Sequence, residues 1–235
     1  AHTYFRIGDY ESAARANQKA ITIDRTFIKN TGATGIYPMM YYKEHLFYPF
    51  VDDWLDNGNS RIIVPGLGAY QMVERNWSRQ DILDQIDYTR RHETAGQAYF
   101  RTDNLLSNTK GILDTLKHYY RNPAKLPPMR WLSDEVPDAP YDLMAESVNG
   151  KLQLSWKTDN REERVTYNIY RSESAVLDVN MAGNILATGV RNPFYEYPAV
   201  VDEKGYYYFV TVSDSYHNES DVCYPAFFVH SELEK

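Results

Sequence analysis

Residues 36–54 read Ile36-Tyr-Pro-Met-Met-Tyr-Tyr-Lys-Glu-His-Leu-Phe-Tyr-Pro-Phe-Val-Asp-Asp-Trp54. The stretch begins with a short apolar run, continues through aromatic and charged residues, and ends in a second apolar run. A short apolar run is typical of a buried strand, and the second run predicts a helix over residues 47–56. The stretch therefore predicts a strand, a loop that carries chemically active side chains, and a helix.

Two similar units follow this stretch. Strands are predicted at residues 36–42, 62–69 and 95–100, and the helices that follow them at residues 47–56, 78–92 and 108–120. Strands that alternate with helices favour a parallel sheet with right-handed crossovers. Ser78 and Asp81 have the spacing of a capping box at the start of the second helix. Gly66 and Gly68 lack the remaining features of a phosphate loop and are expected to allow close approach of a ligand or a neighbouring strand.

The region before this α/β segment has a different pattern. Residues 6–24 place small and apolar side chains at helical spacing, which predicts one amphipathic helix. Gly8, Tyr10, Ala13, Ala20 and Asp24 resemble the second helix of a tetratricopeptide repeat. The resemblance covers only half a repeat, and such repeats need neighbours to bury a core. Residues 1–35 are therefore predicted to be a helical segment that packs on other parts of the protein.

The pattern changes again after a proline-rich segment that ends near Pro140. Residues 136–235 are predicted to be an all-β domain, and residues 36–135 the α/β domain that precedes it. Short alternating runs separated by polar turns are typical of a β-sandwich. Strands are predicted at residues 151–156, 165–171, 183–187, 194–197, 206–213 and 222–229. The positions of Trp156, residues 167–171 and residues 206–213 resemble the second, third and sixth strands of a fibronectin type III module.

The α/β region resembles the carboxyl-terminal part of the glycoside-hydrolase-like family ten barrel, a group of bacterial glycosidases. The motifs that carry the resemblance occur in the family's order, and they are Tyr37-Pro-Met-Met-Tyr-Tyr42, Pro65-Gly-Leu-Gly-Ala-Tyr70, Gly96-Gln-Ala-Tyr-Phe-Arg101 and Pro123-Ala-Lys-Leu-Pro-Pro-Met-Arg-Trp131. The resemblance implies that the three predicted strands are the last three of a (β/α)8 barrel. A complete barrel takes about 250 residues, so the resemblance implies a partial barrel.

The barrel resemblance also implies which residues carry chemistry, because barrel enzymes act at the carboxyl ends of their strands. Glycosidases use two carboxylates, one as acid and one as nucleophile or base. Glu44 and Asp103 are the acids closest to predicted strand ends and are the candidate catalytic residues, although solvated loop acids are the common alternative. Aromatic rings can stack on sugars, or they can simply close the upper layer of a barrel. The candidate substrate-binding residues are Tyr41, Tyr42, Tyr70, Gln97, Tyr99 and Arg101.

Composition narrows the possible partners. The net charge is −7 and the basic residues are scattered, which argues against a nucleic-acid partner. No apolar run approaches the ~20 residues that span a bilayer. A single cysteine and dispersed histidines offer no metal site, and no cofactor is expected. The 21 tyrosines suit a surface that binds sugars or peptides, and they also suit an ordinary β-rich domain.

Two functions are compatible with these observations. The first is a fragment of a carbohydrate-active glycoside hydrolase that acts on a polysaccharide or glycan in the periplasm or outside the cell, incomplete and inactive by itself. The alternative is a non-catalytic interaction or scaffold protein that combines the tetratricopeptide-like helix with the fibronectin-like module. A three-stranded parallel sheet leaves two unpaired edges, so self-association through these edges is also expected.

Overall fold

The computed structural model of the chain describes residues 35–160, 164–197 and 204–230. The chain divides into two units between Tyr119 and Tyr120, earlier than the domain boundary predicted at residue 135. The tetratricopeptide-like helix predicted near the amino terminus falls within residues 1–34 and lies outside the described residues.

The first unit alternates short strands with helices, as the sequence predicts. Its elements are β1 (Gly35–Ile36), α1 (Glu44–Asn57), β2 (Ile62–Ile63), β3 (Gly66–Leu67), α2 (Gln71–Glu74), α3 (Arg79–Arg91), β4 (Ala98–Tyr99), α4 (Thr102–Leu106), a 3-10 helix (Thr109–Gly111) and α5 (Ile112–Tyr119). The helices α1 and α3 contact each other.

The strands of the first unit form a parallel ladder. β1 pairs with β2 and β3 pairs with β4, and a bridge between Met39 and Gly66 extends the first pairing. Pro38 and Pro65 have no backbone N–H, which keeps the regular strands short. The amide of Gly66 nevertheless donates to the Pro38 carbonyl at 2.8 Å, and the amide of Ala98 donates to the Pro65 carbonyl at 3.0 Å. The described residues thus form a mixed helix-and-sheet unit, and a barrel is not seen among them.

The two faces of this ladder differ in burial. The face toward the helices is buried, and its core consists chiefly of Met40, Phe47, Val51, Trp54, Ile63, Leu67, Ile82 and Ile86. Successive side chains of a strand point to opposite faces, and Tyr37 and Met39 on the other face are each 64% exposed. The first unit therefore has one helix-covered sheet face and one apolar face that the described residues leave open.

Helix α3 begins as predicted. The Ser78 hydroxyl accepts from the amide of Asp81 at 3.2 Å, and the Asp81 carboxylate accepts from the amide of Ser78 at 2.7 Å. This reciprocal pair confirms the capping box. The Lys43 ammonium contacts the same carboxylate at 2.6 Å, which ties the residue before α1 to the start of α3.

The second unit contains the β-strands predicted after the proline-rich segment. They are β5 (Tyr141–Val148), β6 (Lys151–Lys157), β7 (Thr166–Ser172), β8 (Ile185–Val190), β9 (Phe194–Tyr197), β10 (Gly205–Ser213) and β11 (Ala226–Val229), with a 3-10 helix at Ala182–Asn184. β5 is the strand that the sequence analysis did not predict. Asp142 has a left-handed backbone (φ 52°), and the register shifts between Tyr141 and Met144, so this strand lacks a simple alternation.

The strands of the second unit form two antiparallel sheets with the orders β5-β6-β9 and β11-β10-β7-β8. Trp156 on β6 and Tyr167 on β7 meet edge to face in the core, with their ring centroids 5.1 Å apart. Cys223 is buried beside them, and its sulfur accepts from the amide of Val210 at 3.2 Å. Two sheets of three and four strands around one apolar core agree with the predicted fibronectin-like sandwich.

Candidate functional site at the strand ends

Three aromatic side chains meet where the parallel segments end. Tyr41 follows the first segment, Tyr70 the second and Phe100 the third. The ring of Tyr41 stacks on Phe100 with a centroid separation of 5.6 Å, and Tyr70 meets both rings edge to face at 5.5 Å. We call Tyr41, Tyr70 and Phe100 the aromatic cluster. It arises because the carboxyl ends of neighbouring parallel strands lie at the same edge of a sheet.

Two glycines make this close approach possible. A Cβ atom at Gly68 would lie 3.1 Å from the Tyr41 Cβ and 3.1 Å from the Gln71 Cγ. A Cβ atom at Gly66 would lie 3.2 Å from the Pro38 carbonyl oxygen. All three distances are shorter than ordinary contacts of a Cβ atom. The absence of a side chain at Gly66 and Gly68 therefore lets the second segment pack against the first. This is the close-approach role that the sequence predicts for them.

An ion pair borders the aromatic cluster. The Arg101 guanidinium contacts the Glu74 carboxylate at 2.8 Å, and its carbon lies 6.0 Å from the Tyr70 ring and 5.9 Å from the Phe100 ring. About half of each charged side chain is exposed, at 49% for Arg101 and 52% for Glu74. The sequence did not predict Glu74 as a site residue. It lies four residues after Tyr70, and α2, which brings it back to the cluster, is too short to show a helical periodicity.

The hydroxyls of Tyr41 and Tyr42 remain protonated near neutral pH. Burial, and then the neighbouring Tyr70, raise the pKa of Tyr41 and of Tyr42 above the ordinary tyrosine value. The Tyr70 hydroxyl accepts a hydrogen bond from the Gln71 side-chain amide at 3.0 Å, and Gln71 is buried. Neutral hydroxyls can both donate and accept hydrogen bonds. The edge of the sheet therefore combines flat rings, neutral hydroxyls and one exposed guanidinium.

The other candidate substrate-binding residues are not members of the aromatic cluster. Tyr42 packs edge to face on Phe50, although it is near enough to Tyr70 for that residue to raise its pKa, and Tyr99 packs against the core of the first unit. The Gln97 side-chain amide donates to the Thr89 hydroxyl of α3 at 2.7 Å. Tyr42 and Gln97 thus contact helices α1 and α3, whereas Tyr41, Tyr70 and Arg101 come together.

The two candidate acids lie at the starts of helices. Glu44 is the first residue of α1 and is half-buried, while Asp103 is exposed in the first turn of α4. Carboxylates at these positions are also stabilised by the helix dipole. Their catalytic role stays a prediction. Among the described residues, no group of three or more His, Cys, Asp or Glu side chains could hold a metal ion, and no helix has the length and hydrophobicity of a membrane span.

Comparison with known proteins gives one curated relative. The chain is 29% identical over 212 residues to "Glycosyl hydrolase YngK" of Bacillus subtilis (strain 168). The match covers 83% of this chain and 41% of that protein, so the chain spans less than half the length of the relative. No protein-family profile matches the sequence.

Part of the chain also matches solved structures. One is a Fn3-like protein from Clostridium thermocellum, with 22% identity, a TM-score of 0.32, and coverage of 40% of this chain and 92% of that one. Another contains domains A168–A170 of titin, with 15% identity, a TM-score of 0.33, and coverage of 41% of this chain and 32% of that one.

Proposed function

We propose that this chain is part of a glycoside hydrolase and that the aromatic cluster binds a glycan. The observation that carries the proposal is the convergence of Tyr41, Tyr70 and Phe100 at the carboxyl ends of three successive parallel segments. The name of the Bacillus relative supports the same class of reaction.

The chemistry of the cluster suits a sugar. Pyranose rings have apolar C–H faces that stack on flat aromatic rings, and hydroxyls that hydrogen-bond to polar groups at the rim. Phe100 is 48% exposed and offers a ring face, while the hydroxyls of Tyr41 and Tyr70 and the guanidinium of Arg101 supply polar groups. A few well-placed polar groups around an apolar surface are typical of small-ligand sites.

The partial (β/α)8 barrel belongs to this proposal. The open sheet face that contains Tyr37 and Met39 would be part of the barrel interior, and the three segments would be its last three strands. Substrate cleavage would use a pair of carboxylates. Glu44 and Asp103 are the candidates in this chain, and further strands would contribute the rest of the site. The chain alone is therefore expected to bind glycan without cleaving it.

Replacing Tyr41 with alanine should weaken glycan binding about tenfold, because a stacked aromatic contact and its buried area are lost. Retention of the full chain on insoluble cellulose, chitin and peptidoglycan would measure this. Tyr224→Ala is the matched control, since Tyr224 lies in the sandwich and is 94% exposed. Circular dichroism would establish that both variants fold. The same loss in both variants, or no retention of the wild-type chain on any of these glycans, would contradict the proposal.

The isolated chain should release no reducing sugar above background from the same glycans, because the rest of the site would come from barrel strands outside this chain. A reducing-end assay on the purified chain would measure this. Vigorous hydrolysis that disappears in Glu44→Gln would show instead that the chain is a complete enzyme with Glu44 as a catalytic acid. Glu146→Gln is a suitable control, since Glu146 lies on β5 of the other unit.

A further inference from the structure

The proline-rich segment before the sandwich is packed onto it. The inward side chains alternate with exposed ones, and the half-buried residues are Lys125, Pro127, Met129, Trp131 and Ser133. The side chains between them, such as Leu126 at 66% exposed, point outward. We call residues 123–134 the strap. A period of two is typical of an extended segment with one face on a surface, whereas a free linker would show no such periodicity.

Hydrogen bonds to backbone atoms of the strap hold it against the loop that joins β10 to β11. The amide of Met129 donates to the Tyr216 carbonyl at 2.8 Å. The side-chain amide of Asn218 donates to the Ser133 carbonyl at 2.9 Å, and a ring nitrogen of His217 lies 3.3 Å from the Pro127 carbonyl oxygen. Consecutive residues of one loop therefore contact the strap at three points along its length.

A half-buried ion pair lies at the amino-terminal end of these contacts. The Lys125 ammonium is 2.7 Å from the Glu219 carboxylate, and only 24% and 20% of the two side chains are exposed. The ammonium also lies 5.6 Å from the centre of the Tyr170 ring. Lys125 is the charged residue on the inward side of the strap, so its position fixes how the strap lies along the sheet.

Three side chains of the sandwich donate hydrogen bonds to the Glu219 carboxylate. One oxygen accepts from the Thr211 hydroxyl at 2.6 Å, from the Asn168 amide at 3.0 Å and from the Tyr170 hydroxyl. The other oxygen contacts Lys125. Each sandwich donor in this group is neutral, and Lys125 of the strap supplies the positive charge. A buried carboxylate without its cation is unfavourable, so the sandwich favours the docked strap.

We propose that the strap is a latch closed by the Lys125–Glu219 pair, and that the chain is fixed to the sandwich from Lys125 onward. Chain motion ahead of the sandwich is then confined to residues before Lys125. Opening of the latch would release residues 125–133 together, because the backbone contacts follow the ion pair along the strap. This device is independent of the proposed glycan binding.

Hydrogen exchange of the full chain, followed by mass spectrometry, tests the latch. In Lys125→Met, protection of the Met129 amide, which donates to the Tyr216 carbonyl, should fall about tenfold or more, because a charge-assisted hydrogen bond is lost from the closed state. Protection across β10 should not change. Lys157→Met is the control, because the Lys157–Asp142 pair of the same sandwich is largely exposed, and it should leave the strap protected.

A double-mutant cycle separates the ion pair from the bonds that Glu219 makes inside the sandwich. Glu219→Gln should deprotect the strap and also β10, because it weakens the bonds from Thr211, Asn168 and Tyr170. The double variant Lys125→Met/Glu219→Gln should lose less strap protection than the two single losses combined, because neither charge is then left unpaired. Unchanged strap protection in Lys125→Met would overturn the latch. An equal loss of protection in the strap and across β10 in Lys125→Met would also overturn it, because Lys125 would then stabilise the whole sandwich.

Discussion

Phe47→Ala is expected to lower the free energy of unfolding of the first unit by about 3–5 kcal/mol, the usual cost of removing a buried phenylalanine. The Phe47 side chain is fully buried on the inner side of α1 and meets Tyr48 edge to face. Met40 and Leu67 of the parallel segments belong to the same hydrophobic core as Phe47. Alanine would leave a cavity between the helix and the sheet.

The first unit is especially sensitive to such a cavity. It buries only one face of its ladder among the described residues, while Tyr37 and Met39 stay exposed on the other face. Since the free energy of unfolding of a domain is typically about 5–15 kcal/mol, a loss of about 3–5 kcal/mol removes a large part of the unit's stability. We therefore expect Phe47→Ala to unfold the first unit at temperatures where the wild type remains folded.

Differential scanning calorimetry would measure this loss, with the two units followed as separate transitions. The transition of the sandwich should not move. Leu106→Ala is the control, since Leu106 in α4 is 74% exposed and its truncation should change stability by less than about 0.5 kcal/mol. A Phe47→Ala loss as small as that of the control would show that the ladder and α1 do not form a cooperative core.

Glu219→Gln is expected to destabilise the sandwich at neutral pH by about 1.5–3 kcal/mol, the range for a hydrogen bond to a charged group. Burial by itself would raise the pKa of Glu219. The hydrogen bonds from Lys125, Thr211, Tyr170 and Asn168 outweigh burial and hold the pKa below the ordinary value for glutamate. The folded state therefore favours the ionised carboxylate.

The direction of the pH dependence follows from this lowered pKa. Glu219 contributes its full stabilisation above the unfolded-state pKa of about 4.3, and the contribution is lost as the pH falls through the lower folded-state pKa. The difference in stability between wild type and Glu219→Gln should thus be constant from pH 7 to about pH 5 and should shrink below that. Among the described residues, the charged or titratable groups bonded to Glu219 are Lys125 and Tyr170. Burial and the hydrogen bond to Glu219 raise the pKa of Tyr170, so this hydroxyl stays protonated in this range.

Urea denaturation at a series of pH values would measure the effect on the sandwich. Glu196→Gln is the control, since the Lys151–Glu196 pair is 3.4 Å long with about half of each side chain exposed. Surface pairs of this kind contribute little. A stability difference for Glu219→Gln that stays constant down to pH 3 would contradict the lowered pKa.

The helices and the sandwich strands were predictable because their periodicities are strong. The predicted helix at residues 78–92 is observed as Arg79–Arg91, and the predicted strand at residues 194–197 is observed unchanged. The parallel strands are shorter than predicted, because Pro38 and Pro65 interrupt them. Strand β5 escaped prediction because a bulge and the left-handed Asp142 break its alternation.

The candidate site was predictable only in part. Position at a strand end was enough to find Tyr41, Tyr70 and Arg101, which the structure brings together. It could not show that Gln97 bonds to α3 and that Tyr99 packs against the core, because a strand's register decides which alternate side chains face which side. Glu74 reaches the cluster through a single helical turn, and the sequence contains no sign of that turn.

The buried Cys223 has a practical consequence for work with this protein. Burial raises the pKa of its thiol to about 11, so very little thiolate forms near neutral pH. The folded chain should therefore resist alkylation and should not form disulfide-linked pairs on storage. Its one thiol becomes reactive only when the sandwich opens, so pulsed labelling with iodoacetamide would time that opening without any engineered probe.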